Sequence, residues 1–170
     1  MRELFAAPLH PVFTHFSIAL TASSLLFDAL GRVLDVASLS AAGWWTLAAA
    51  VPVTVGTLAS GITSRIRLAV EEGKARRWLR AHMALGPSFF GGLVGMALWR
   101  GVLWTDGARL PWTYLAVMGG LVLVMTAQGY LGGELVYRFG TEVRGRYPRL
   151  PSARHDAAAP PTAGAATRRA

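Results

Sequence analysis

The chain has 170 residues, 53% of them hydrophobic, and a formal net charge of +8 from 17 basic and 9 acidic residues. It has no cysteine, which excludes disulfides, thiolate metal sites, iron–sulfur clusters and covalently attached c-type haem as properties of this chain. No soluble folded stretch is visible that would present the basic residues to nucleic acid, so that partner class is excluded as well.

Four apolar stretches dominate: residues 12–34, 41–64, 82–104 and 112–137. Each exceeds the roughly 20 residues that carry a helix across a ~30 Å hydrocarbon core. The first is too long for a signal-peptide core, no small-residue cleavage site follows promptly, and a second apolar stretch comes soon after, so it reads as an uncleaved span. Inside it lie His15 and Asp28, and just before it the pair His10-Pro11. Proline after His10 biases that histidine away from helical geometry and makes Pro11 a good first helical residue. The second stretch contains Pro52 and the small residues Gly56, Ser60 and Gly61, and ends in Thr63, Ser64 and Arg65. The loop that follows, RIRLAVEEGKARRWLR, mixes arginine with Leu, Val and Trp, as a segment on an anionic lipid surface or an ordinary cytoplasmic loop would. His82 opens the third stretch, which contains Pro87, Gly91, Gly95 and Arg100. The fourth carries Gly129 and Gly133, with Tyr130, Glu134 and Tyr137 sharing one helical face near its end. From Pro148 the chain turns to Pro and Ala without an apolar period, so residues 148–170, His155 among them, read as a disordered tail.

The fold class is therefore all-α: a polytopic membrane protein whose residues 1–147 form four transmembrane helices in an up-down bundle. Pro52 and Pro87 should kink or loosen their helices. The small residues supply close-packing faces within the bundle or between copies of the chain. Trp44, Trp45, Trp104 and Trp112 fall at one end as an interfacial belt. Cytoplasmic loops carry the excess of Lys and Arg. With both termini inside, fourteen basic residues lie on the cytoplasmic side, and only Arg32, Arg100 and Arg109 on the other. This orientation is expected of a chain set in a cytoplasmic (inner) membrane, in contact with lipid.

Helix direction brings His15, His82 and Glu134 to one depth from three helices. Three readings stand open. In the first, His15 and His82 are axial ligands of haem b, with the small residues Ala19 and Gly86 one turn further along making room for the porphyrin and Phe89 following on the His82 face. In the second, His10, His15, His82 and Glu134 hold a divalent metal ion. In the third no cofactor is bound: the histidines cap helix ends, Glu134 pairs with Arg65 or Arg138, and the protein is a scaffold or accessory subunit. Near the opposite end Asp28 can pair with Arg100 across parallel helices, or with Arg32 one turn on; either is a structural pair. No nucleophile-and-base arrangement or phosphate loop appears, so an enzyme acting alone is not indicated. A small transporter would need discontinuous helices at mid-membrane, for which Pro52 and Pro87 are the only hints.

The motifs HPVFTHFSIAL, RAHMAL and GYLGGELVYRFGTEV together resemble a bacterial membrane-protein family known as domain of unknown function 2231, over roughly residues 8–143. On that resemblance His10, His15, His82, Gly132, Gly133, Glu134, Tyr137 and Gly140 fall on the family pattern. The chain departs from it at Ser17, where the family often has proline, and at GITSRI, where an acidic residue is frequent. The resemblance implies a redox setting, since relatives occur joined to cytochrome c-like or Rieske-like modules. The function expected is a haem- or metal-binding membrane subunit that serves electron transfer to a protein partner.

Overall fold

Each apolar stretch forms one unbroken helix in the computed structural model, which describes residues 9–67, 74–105 and 109–139. The helices are α1 (Leu9–Leu34), α2 (Ala37–Arg67), α3 (Lys74–Thr105) and α4 (Trp112–Tyr137). All four are long and apolar enough to cross a membrane. The ends of α4 match the apolar run. The other helices extend past theirs. α3 starts at Lys74 because Trp78 and Leu79 continue its inward face: Leu79 is buried, and Trp78 packs against Tyr130 and Phe139. α1 starts at Leu9, so His10 lies within its first turn and not ahead of it. α2 and α3 run helically through Pro52 and Pro87, both on the outer surface, so neither proline interrupts its helix. Residues 68–73 of the central loop, the tail 148–170 and Gly140 lie outside the described residues.

The α1–α2 turn is only two residues long. Asp35 takes a left-handed conformation (φ 58°), and the Val36 N–H donates to Gly31 O at 3.1 Å. That bond closes a Schellman-type cap, for which Asp is one of the few non-glycine residues suited. The hairpin is consequently tight, and α2 starts at Ala37, earlier than hydropathy suggests.

The helices form a ring in chain order, each packed on its two neighbours, with no backbone approach within 8 Å between the diagonal partners among the described residues. Buried positions recur at alternating three- and four-residue steps: Ser17, Thr21, Ser24, Asp28 and Gly31 in α1, and Gly86, Phe89, Leu93, Met96 and Arg100 in α3. This is the seam of a heptad-type bundle. Leu47, Leu93, Met96, Met118 and Tyr114 form an apolar core. α1 contributes mostly hydroxyls to it, so its polar face points inward and its apolar face outward, as in lipid. The small-residue faces are used unevenly. Phe13 packs onto Gly56 and Leu121 onto Gly92, whereas Gly91 and Gly95 face outward with none of the described residues against them. The tryptophan belt is present: Trp44 stacks on Trp104 (6.5 Å) and touches Trp45 (6.3 Å), and Arg32 lies over Trp112 at 4.9 Å.

Candidate functional site

His10 from α1 and His82 from α3 meet across the diagonal at one end of the bundle. Their ring centroids are 6.4 Å apart and the rings are nearly perpendicular, at 85°. Each ring is held in the same way. His10 Nδ1 donates to Thr57 O of α2 at 3.0 Å and also lies 3.2 Å from Ser60 Oγ. His82 Nδ1 donates to Gln128 O of α4 at 3.1 Å. A carbonyl can only accept, so Nδ1 carries a hydrogen in both rings, and in the neutral imidazole it is Nε2 that keeps the lone pair.

Each ring also lies over a glycine four residues beyond the carbonyl it uses. A Cβ on Gly61 would stand 3.0 Å from His10 Cε1, and one on Gly132 would stand 3.2 Å from His82 Cε1. Helical side chains lean toward the N-terminus and cover the preceding turn. Glycine at these two positions therefore leaves the Thr57 and Gln128 carbonyls open to an incoming imidazole. Beneath the pair is a cavity of about 40 Å³ lined by Thr14, Ser17, Thr54, Gly86, Phe89 and Gln128 among others. Ser17 Oγ and Thr54 Oγ1 are hydrogen-bonded in it at 2.6 Å.

The structure does not bring together the histidines expected to pair. His15 is exposed on the outer face of α1, and its Nδ1 donates to Pro11 O of its own helix at 2.6 Å. Ala19, one turn on, is exposed on the same side. Five residues rotate a helix by about 140°, so His10 and His15 cannot both face inward. Gly86 does lie beside His82 and lines the cavity, as does Phe89. Glu134 lies apart from the imidazoles and pairs with Arg138 at 3.5 Å, while Tyr130 and Tyr137 are exposed. The four-ligand set His10, His15, His82 and Glu134 is thus not assembled, and no group of three or more His, Asp or Glu suited to a metal occurs among the described residues. The side chains of Ser64 and Arg65 lie outside the described residues.

At the opposite end Asp28 pairs with Arg100, not with Arg32. Arg100 Nη2 lies 3.1 Å from Asp28 Oδ1, and the two side chains are 2% and 0% exposed. The same nitrogen donates to Ser40 O at 2.8 Å and Ser40 Oγ at 2.9 Å. Arg32 turns away, donating from Nε to Leu110 O at 2.9 Å. The buried Tyr114 hydroxyl is close enough to Asp28 to interact with it electrostatically but closes no hydrogen bond. Thr21 Oγ1, buried midway along α1, is likewise without a partner among the described residues. Beyond Arg100 a larger cavity of about 490 Å³, lined by Ser40, Trp104, Arg32 and Arg109, opens at this end.

Sequence reasoning missed the His10–His82 pairing and its acceptors, although two signals were available. His10 shares a helical face with Ser17, Thr21, Ser24 and Asp28, whereas His15 shares one with Ala19 and Leu26. In a membrane helix the polar face turns inward. The second signal is a spacing. Asp28 and Arg100 are 72 residues apart, and so are His10 and His82. The acceptors Thr57 and Gln128, and the glycines Gly61 and Gly132, are each 71 apart. The hairpins α1–α2 and α3–α4 thus carry corresponding polar positions at matching spacings. This repeat shows in position and hardly at all in residue identity.

No curated protein and no solved structure matches the chain. The family model described as predicted membrane protein, DUF2231, matches residues 6–145, which is most of the chain and all of the described bundle. The chain belongs to this family of predicted membrane proteins.

Proposed function

We propose that the protein is a bacterial inner-membrane subunit that holds one redox-active metal ion between His10 and His82 and passes electrons to a protein partner at that face. The observation that supports this reading is the close approach of the two rings. Two imidazoles bound on opposite sides of a metal, at metal–nitrogen bonds of roughly 2 Å, place their ring centroids roughly 6 Å apart, and here the separation is 6.4 Å. An Nδ1–H bonded to a backbone carbonyl is the usual way a ligating histidine is oriented. Two imidazoles fall short of the four ligands of a structural zinc site. They suit copper or iron, with water in the cavity completing the coordination. A cavity of about 40 Å³ takes an ion and a water. It does not take a porphyrin, so haem b fits only if the helices part at this end.

Metal analysis and an absorption spectrum of protein purified in mild detergent test the proposal. About one copper or iron per chain is expected, lost in His10→Ala and in His82→Ala and kept in His15→Ala. A Soret band with the same dependence would assign the two imidazoles to a haem iron instead. Neither metal nor haem at stoichiometric level, or loss in His15→Ala alone, would leave the pair as a clamp between hairpins and the protein as an accessory membrane subunit.

A further inference from the structure

We propose that the bundle carries a proton path along the inner face of α1, from the histidine pair to the Asp28–Arg100 pair, with Thr21 as its narrowest link. The inward seam of α1 reads His10, Thr14, Ser17, Thr21, Ser24, Asp28, flanked by Ile18 and Leu25. His10 and Asp28 are eighteen residues apart, about 27 Å along a helix axis and close to the ~30 Å thickness of the hydrocarbon core. A helix needs no such row of hydroxyls to pack in lipid, where Ala or Gly does the same with no polar atom to satisfy.

The two ends of the row are supplied differently. At the histidine end the 40 Å³ cavity already reaches Thr14, Ser17, Thr54 and Thr57. At the other end the 490 Å³ cavity reaches Arg100 and Ser40. Between them stand Thr21 and Ser24. Ser24 Oγ donates to Gly43 O at 2.9 Å, while Thr21 Oγ1 is fully buried and has no partner among the described residues. Buried hydroxyls are rarely left so. Along the axis, Ser17 to Thr21 is about 6 Å and Thr21 to Ser24 about 4.5 Å. One water, bonded at ~2.8 Å to each side, spans such a gap. The Tyr114 hydroxyl, also unpartnered, stands beside Asp28 at the far end.

Transfer along this row needs no redox partner. Each hydroxyl accepts one proton and releases another to the next group, and each imidazole and the Asp28 carboxylate bind a proton and give it up again, so one proton enters, one leaves, and every group returns to its starting charge. Asp28 cancels the Arg100 charge at 3.1 Å, so the exit is not a bare cation, and Asp35 lies 3.3 Å from Arg109 at the rim.

The test uses metal-free protein in vesicles that enclose a pH-sensitive dye, with a potassium gradient and valinomycin setting the potential. Proton influx several-fold above protein-free vesicles is expected. Thr21→Val, which keeps the side-chain shape, should lower it at least five-fold, and Thr21→Ser should restore it. Ser24→Ala should also lower it, as a second break in the row. Wild-type flux equal to that of empty vesicles, or undiminished flux in Thr21→Val, overturns the path. The path does not depend on the metal reading, because the assay contains no metal; either can fail without the other.

Discussion

His10 and His82 are held by the backbone of their neighbours, and that makes Gly61 and Gly132 as important as the histidines. A methyl group at either position meets the imidazole at 3.0 to 3.2 Å, tighter than ordinary van der Waals contact. It also shades the carbonyl to which Nδ1 donates. Gly61→Ala and Gly132→Ala should each weaken metal binding by 10-fold or more, the range seen when the groups that orient a ligating histidine are lost. Thermal stability in detergent should change little, because alanine favours a helix over glycine by roughly 1 kcal/mol and offsets part of the crowding. Copper or iron titration of the two variants beside Gly91→Ala, where nothing stands near the added carbon, measures this. Equal affinity in all three would show that the imidazoles are not held by these contacts. At this scale the sequence was legible in part. His82 and Gly86 were recognisable as neighbours because they lie one turn apart on one helix. The partner of His82 was not, because the choice between His10 and His15 depends on which face of α1 turns inward. Proline at position 11 argued for a helix start after His10, but the helix begins at Leu9 and takes His10 into its first turn.

At the scale of the element, α1 inverts the pattern of a soluble amphipathic helix, and the inversion is what made its span readable and its site hard to read. Hydropathy finds the segment because the outward face is apolar. The inward hydroxyls are too weakly polar to interrupt it. The one strong charge on that face, Asp28, requires a partner, and Arg100 supplies it from the diagonal helix. Gly43 makes room for the carboxylate: a Cβ there would stand 2.7 Å from Asp28 Cγ. Removing one member of a buried, hydrogen-bonded pair leaves the other charge uncompensated, at a cost of about 3–5 kcal/mol. Asp28→Ala and Arg100→Met should therefore each lower the temperature of detergent-phase unfolding sharply, and Gly43→Ala should act in the same direction by pushing Asp28 off its partner. The double variant Asp28→Ala/Arg100→Met should recover most of the loss, because it leaves no unpaired charge. A double variant no more stable than either single one would mean that the pair contributes more than mutual neutralisation, and the Arg100 bonds to Ser40 would then be the first suspects.

For the whole molecule, the ring of four helices and the matched spacing of its hairpins place the two polar pairs at opposite ends of the bundle. An even number of spans would put both termini on one side, and the positive-inside rule predicts the cytoplasm for that side. The helices themselves do not encode this orientation, since the bundle is equally well packed either way up. It is legible only towards the helix ends and beyond them, where six basic residues at the facing ends of α2 and α3 and seven from Arg138 onward oppose Arg32, Arg100 and Arg109. Of those three, Arg100 is buried against Asp28 and so carries little topological weight, which makes the bias stronger than the bare count. Because the chain has no cysteine, single cysteines report orientation without background. Asp35→Cys, at the exposed α1–α2 turn, should react with a membrane-impermeant maleimide in intact spheroplasts, and Ser152→Cys should react only after the membrane is opened. The reverse labelling would place the His10–His82 pair on the outer face. A redox partner would then have to be sought outside the cytoplasm, and the proton path would run in the opposite sense relative to the membrane potential.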